Sequence, residues 1–255
     1  MDYDALLDLA LEIGCRLLEN GAETYRVEES VLHILDAYGG GQGDAFAVPT
    51  CLIVTVREER ESGTHSHTRL KRIHERGTNL DRVARLNDLC RRICRDKPDC
   101  RTAFTEVEKA ACSKTYRLPV QILSAVLIAF SFTLFFGGGI RESLCAVVCG
   151  AALKLALRGM DYFGTNWFFA NIVGSAIVSL LAVAALRLGL CGQIDSIIIG
   201  TLMNLVPGVA LTNSMRDIIG GDLISGLTKL VEAVMVAAAI ALGTGVVLYG
   251  LRSFL

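Results

Sequence analysis

Between Leu202 and Asp222 the sequence reads LMNLVPGVALTNSMRDIIGGD, an apolar run interrupted by Asn204, Pro207, Gly208 and Asn213 and then charged by Arg216, Asp217 and Asp222. Lys229 and Glu232 follow within ten residues. Proline removes a helical N–H and clashes with the preceding turn, while glycine eases unwinding, so Pro207-Gly208 predicts a break that bares main-chain carbonyls. In hydrocarbon such groups must be met by protein or by a water-filled cavity, and discontinuous helices of secondary transporters use them to hold substrate or ions. Asn204, three residues before the proline, would face the same cavity. A carboxylate or arginine inside a bilayer costs at least about 2.5 kcal/mol, so the charges are expected to face protein or water and to pair. The chemistry they could do is electrostatic. Arg216 or Lys229 would attract a carboxylate near a gate, and Asp222 or Glu232 would carry a coupling proton. Glu232 lies one helical turn beyond Lys229, within pairing reach. A proline kink that only shapes packing and an interfacial Arg216-Asp217 loop are the plainer readings.

Other chemistry is sparse. There is no nucleophile elbow, phosphate loop or dinucleotide fingerprint, because GGGQGD follows a helix where the mechanism needs a preceding strand. Glu23, Arg26, His33, Asp44 and His65 are chemically capable groups and keep a membrane-anchored hydrolase or sensory domain as an alternative from another class. Among nine cysteines, Cys90 and Cys94 share a helix face, and His65 and His67 share a strand face, which outlines an imaginable zinc set. The close cysteine pairs of a zinc knuckle are missing, and buried free thiols behave as small hydrophobes. No catalytic residue, metal or cofactor is assigned.

The elements that must position these groups divide at residue 117. Positions 1–117 hold 18 Lys/Arg and 20 Asp/Glu, against 7 and 6 in the remaining 138, so two solvents are implied. The net charge of -1 argues against a nucleic-acid protein. A hydrocarbon core needs roughly 20 helical residues. Five runs qualify: Leu118–Phe136, Ile140–Leu157, Trp167–Leu186, Ile194–Thr212 and Leu230–Gly250, the second being weakest because of Arg141, Glu142 and Lys154. The bases Arg101, Lys109, Lys114 and Arg117 before the first run place the amino-terminal part in the cytoplasm, and five crossings put the carboxyl terminus outside. No cleavable leader is expected, since Asp2, Asp4 and Asp8 stand where a basic region should be. Small residues such as Gly150, Gly174, Gly200 and Gly243 predict a closely packed bundle and a homo- or hetero-oligomer.

Residues 1–117 read as an α+β domain. Apolar residues at helical spacing predict helices ending near Gly21, over Glu23–Tyr38, Leu80–Arg95 and Thr102–Lys114; strands are expected over Ala45–Pro49, Cys51–Arg57 and Thr64–Ile73, with a polar turn over Glu58–Gly63. Positions 1–36 hold nine acids against Arg16 and Arg26, whereas 69–117 hold fourteen bases against seven acids. Acidic helices packing beside basic ones, with juxtamembrane arginines at lipid head groups, explain this segregation; a polyanionic ligand is the alternative. The fold class is thus an integral membrane α-helical bundle of about five spans (118–255) preceded by a cytoplasmic α+β domain (1–117).

GAETYRVEES at Gly21–Ser30, TRLKRI at Thr68–Ile73 followed by GTNLDRVARLNDL, and the PG...N..RD...GD...GL.KL.EA pattern from Pro207 to Ala233 resemble the threonine/serine exporter family. The likeness covers nearly the whole chain, in the form of its half-length members. It implies a multi-pass protein of the inner or plasma membrane and a small-molecule substrate, threonine/serine or alternatively a dicarboxylate such as succinate. It also implies an ion gradient as the driving force and a second, small membrane subunit as partner, with no enzymatic activity. Within the GAETYR motif, Gly21, Glu23, Thr24 and Arg26 take a structural or gating role. A Glu23–Arg26 ion pair one turn apart would order the interface; contact with substrate entering the membrane vestibule is the alternative.

Overall fold

The computed structural model describes residues 3–40, 42–60, 63–74, 76–111 and 116–252, with the backbone alone at 59, 60, 63 and 64. Gly41, Glu61, Ser62, Cys112 and Lys114, which figure in the expected break, turn and juxtamembrane helix, lie outside the described residues. In chain order the elements are α1 (Tyr3–Glu19), α2 (Thr24–Ala37), β1 (Gln42–Val48), β2 (Cys51–Arg60), β3 (Gly63–Arg72), α3 (Leu80–Asp96), α4 (Cys100–Ala111), α5 (Leu118–Phe135), α6 (Ile140–Tyr162), α7 (Trp167–Arg187), α8 (Asp195–Leu202), α9 (Gly208–Gly220) and α10 (Leu223–Gly250). They form two compact units: residues 1–114 with Leu211–Leu230, and Thr115–Ala210 with Val231–Leu255.

In the first unit α1 is the central helix. Leu6, Leu7, Leu9, Ile13 and Leu17 are fully buried, each stabilising the fold by about 1.5–3 kcal/mol. Gly14 lets α1 approach β2 and α2, since a Cβ there would stand 2.4 Å from Leu52 Cδ2 and 2.9 Å from Val31 Cγ2. The strands form an antiparallel meander in the order β1-β2-β3, with Ala47 opposite Leu52 and Leu52 opposite Lys71. Leu52, Val54 and Val56 alternate into the core, as a half-buried strand requires. After Gly21, which is left-handed at φ 83°, the α1–α2 corner is tied to the loop before α3 by Gly77 N–H to Glu19 O at 2.9 Å and Asn79 N–H to Asn20 O at 2.9 Å. The segregated charge is met mainly between α1 and β3: Glu12 takes Arg16 at 2.7 Å and also Lys71, and Arg69 reaches Asp4 at 2.8 Å.

Among the described residues, four helices, α5, α6, α7 and α10, are long and apolar enough to cross a membrane. The expected fourth span, Ile194–Thr212, is not one continuous helix but α8, a break and the start of α9, so it is not among the four. Eight residues of α8 reach only about 12 Å of a hydrocarbon core of about 30 Å. The helix stops because Pro207 has no N–H to offer; the chain before it turns tightly, with Leu205 and Val206 both donating to Leu202 O at 2.8 and 3.2 Å. The last helix begins at Leu223, seven residues before the expected Leu230.

Glycine sets the helix contacts of the second unit. A Cβ on Gly200 would lie 2.5 Å from Thr133 N, and one on Gly243 would lie 2.1 Å from Ile172 O, so α8 meets α5 and α10 meets α7 almost backbone to backbone. Hydroxyls there return to their own helices: Thr133 donates to Ala129 O at 2.7 Å and Ser179 to Ser175 O at 2.9 Å.

Candidate functional site: the α9–α10 hairpin on α2 and β1

The site is built by a tight helical hairpin. Near the end of α9, Gly221 takes φ 99° and Asp222 N–H returns to Asp217 O at 2.9 Å, which closes the helix; Asp222 then stands at the start of α10, where a carboxylate suits the helix N-terminus. Gly226 permits the two helices to close, for a Cβ there would lie 2.9 Å from both Ile218 N and Ser214 O. The GGD…G spacing of the sequence thus makes α9 and the first two turns of α10 a single block, packed in the same compact unit as the α+β elements.

Three contacts fix that block to α2 and β1. Asp217 is fully buried at its side chain; its Oδ2 receives Lys229 Nζ at 2.7 Å and the Thr24 hydroxyl at 3.2 Å, and Lys229 also donates to Thr24 Oγ1 at 3.0 Å. Arg216 pairs with Glu23, whose other oxygen holds Arg26 Nε at 2.7 Å. Ser225 donates to Ala47 O at 3.2 Å on β1, and Ala47 N–H donates to Glu28 Oε1 at 2.8 Å. Burial, together with the carboxylates of Asp222, Asp44 and Asp217, pushes the Glu28 carboxyl above its usual range, against the lowering effect of the Ala47 N–H.

The arrangement can bind and release charge. In the Thr24–Asp217–Lys229 triangle a buried carboxylate is matched by a cation that is itself only 14% exposed, so removing either partner strands the other. The Arg216 side chain is 51% exposed while its partner Glu23 is 15% exposed, so the guanidinium can turn to another carboxylate and Glu23 remains matched by Arg26.

Of the residues singled out from sequence, the hairpin and the GAETYR motif come together in two neighbouring sets, Glu23 with Arg26 and Arg216, and Thr24 with Asp217 and Lys229, with Asp222 at the hairpin turn. Gly21 stands at the corner before α2. The Glu23–Arg26 pair forms as expected from the one-turn spacing. Lys229 turns to Asp217; Glu232 is half-buried further along α10. Asn204, in the second unit, donates to Ala125 O at 3.2 Å and Thr201 O at 3.0 Å and so ties the end of α8 to α5. Pro207 and Gly208 form the break itself, and Asn213 is half-buried on α9.

Sequence reasoning missed Glu28, Ala47 and Ser225. Glu28 carried a signal: it lies one turn after Thr24 and next to the buried Val27. His67 stacks on Tyr3 at 5.6 Å, and among the described residues no three His, Cys, Asp or Glu side chains converge as a metal site.

Comparison with known proteins decides the family. Residues 8–250 match the family described as "Putative threonine/serine exporter". The chain belongs to the threonine/serine exporter family. Two of the family's curated relatives are a "Probable threonine/serine exporter" of Mycobacterium tuberculosis (strain ATCC 25618 / H37Rv) and a "Threonine/serine exporter" of Corynebacterium glutamicum. The first is 24% identical over 97% of this chain and 46% of its own length, the second 24% over 94% and 50%. The chain therefore spans about half the length of the curated relatives it matches. Family and relatives are named as exporters and not as enzymes, and neither relative is named for a dicarboxylate. No solved structure matches.

Proposed function

We propose that this chain is one half of an exporter that moves threonine and serine out of the cell, driven by an ion gradient. The observation that carries the mechanism is the joining of the family-like motif of α2 to the charged end of α9 and α10 through Thr24, Asp217 and Lys229. In this reading residues 1–117 are the cytoplasmic domain and 118–255 the membrane domain. The fourth crossing is shared by α8, the break at Met203–Pro207 and α9, which leaves the amino terminus inside and the carboxyl terminus outside. The hairpin packs with the α+β elements, which supports assigning its turn to the same side of the bilayer as those elements.

Glu23 holds Arg216 as a stand-in for the substrate carboxylate. An arriving amino acid offers its carboxylate to the exposed Arg216 in place of Glu23, which keeps its pair with Arg26. With Glu23 released, the Thr24–Asp217–Lys229 triangle on α2 and the Ser225–Ala47 hydrogen bond on β1 still hold the hairpin, and these are the contacts that must loosen for it to move. Relatives of about twice the length support a second membrane subunit that completes the pathway.

The test is counter-gradient export of labelled threonine from proteoliposomes containing this chain with its second subunit. Flux that serine competes for and that collapses with the ion gradient is expected. No threonine flux, or competition by succinate alone, would overturn the assignment.

A further inference from the structure

We propose that the groove between α2 and α3 is a capture site for the amino acid, from which its carboxylate passes by way of Arg26 to Arg216. The identity of the ligand rests on the exporter reading; the groove adds a place of entry to it. It holds about 800 Å³, the size of a small-molecule site, and lies between elements of the first unit. Arg26, Glu29 and His33 recur about one turn apart along its α2 wall, and Asn87, Arg91 and Arg95 along its α3 wall. Cys90, which is buried, and Cys94, which is half-buried, form the floor. Burial pushes the Cys90 thiol up to about 12, so the floor there carries no charge.

The walls carry both signs of charge. The side chains of Glu29, Ser30, His33 and Asn87 make no hydrogen bond or ion pair among the described residues, so a carboxylate, a hydroxyl, an imidazole and an amide stand open to a ligand. The α3 arginines are held lightly: Arg91 by Asp88 at 2.9 Å and Arg95 by Asp96 at 2.8 Å, both with side chains 73% exposed. Such exposed pairs contribute little and yield to a better-placed carboxylate, which a guanidinium can take through two parallel bonds. An α-amino acid with a hydroxyl matches these groups. Its carboxylate goes to Arg91 or Arg95, its ammonium to Glu29, and its hydroxyl to Ser30 or Asn87. A dicarboxylate would bring a second negative charge to Glu29 and be repelled.

Arg26 connects the groove to the hairpin. It reaches Glu23 through Nε at 2.7 Å, which leaves its terminal nitrogens for a ligand, and Glu23 also holds Arg216. The Arg26 side chain is half exposed, as is that of Arg216. A carboxylate leaving Arg91 therefore finds a second guanidinium in the same groove and a third across Glu23. No covalent bond changes on the way; only ion-pair partners are exchanged.

Saturation-transfer NMR with threonine on the full chain in detergent, together with alkylation of its cysteines by N-ethylmaleimide, tests the site. Threonine and serine should receive saturation and succinate should not. Bound threonine should slow alkylation of Cys94 but not of Cys51, which is also half-buried and does not line the groove. Glu29→Gln and Arg91→Gln, both at exposed positions, should each weaken threonine binding roughly tenfold, the worth of one charge-assisted contact. Arg69→Gln, which removes an exposed pair on β3, should leave binding unchanged. The capture site is overturned by wild-type protein that does not saturate threonine, by binding that leaves Cys94 unprotected, or by binding indifferent to both groove substitutions. Saturation of succinate equal to that of threonine, or equal loss in Arg69→Gln, overturns it too. Gradient-driven threonine flux in proteoliposomes with the second subunit separates the two ideas: flux without groove binding overturns the site alone, whereas groove binding without flux upholds the site and overturns the exporter reading.

Discussion

The two compact units treat their polar groups in opposite ways. In the unit built from residues 1–114 and Leu211–Leu230, polar and charged side chains from distant segments meet each other: Thr24 with Asp217, Glu23 with Arg216, Glu12 with Lys71. In the other, side chains such as Thr133, Ser179 and Asn204 give their hydrogens to main-chain carbonyls, and helices meet at Gly200 and Gly243. The difference follows from solvent. Where water is near, an ion pair can open and re-form at low cost; where it is absent, each polar group must be satisfied locally and association rests on close packing. In the proposed reading the hairpin junction is the part that switches, and the helical bundle the part that holds a path in place.

The largest expected effect tests the switching side. Lys229→Met strands the buried Asp217 carboxylate and should destabilise the first unit by about 3–5 kcal/mol, seen as a lowered unfolding midpoint in detergent. Adding Asp217→Asn to Lys229→Met should restore most of the loss. On the packing side, Gly243→Ala pushes a methyl against Ile172 O and should cost about 1–3 kcal/mol, with no rescue by any charge change. If Gly243→Ala were silent, the two units would not differ in the way described.

A third effect separates two acids within the first unit. Burial would raise the Glu12 carboxyl, but hydrogen bonding and charge from Lys71 and Arg16 outweigh it and hold it below the usual carboxylate range. Its contribution to stability is present above the ordinary carboxylate range and is lost as pH falls through the lowered value. Glu28, raised, behaves oppositely: the folded state binds its proton more tightly than the unfolded chain, so its contribution is present at low pH and fades as pH rises through the raised value. Unfolding midpoints against pH should lose the acid-side slope in Glu12→Gln and the higher-pH slope in Glu28→Gln. The smallest expected stability effect is Arg216→Gln, at most about 1 kcal/mol because the pair is half exposed, while the KM for threonine rises several-fold. An unchanged KM would remove Arg216 from carboxylate exchange.

Most elements were legible in the sequence because local pattern governs them. Strand alternation placed β2, and the apolar runs placed α5, α6 and α7 to within a residue at their starts. Two features escaped. The run at Ile194–Thr212 is apolar enough to resemble a span, and composition alone does not tell a proline kink from a proline stop. The first turns of α10, Leu223–Lys229, contain Ser225, Thr228 and Lys229 and so look unlike a lipid-facing helix; they are polar because they pack on α2 and β1.

The charged residues of the candidate site were recognisable by type, but not by partner. Thr24 and Lys229 are 205 positions apart, and Lys229 was paired by sequence with Glu232 because one turn of spacing is visible and tertiary contact is not. Glu28 was hidden among the acids of α2, whose exposed and half-buried members look alike in one sequence.

The central claim is that the contact of α2 with the α9–α10 hairpin acts as a unit in export. A double-substitution cycle on threonine flux in proteoliposomes, with Thr24→Val and Lys229→Met made singly and together, tests it most directly. Each single change should cut gradient-driven flux at least tenfold, and the pair should be no worse than the more severe single change. Full flux in both single variants, or losses that multiply independently, would contradict it.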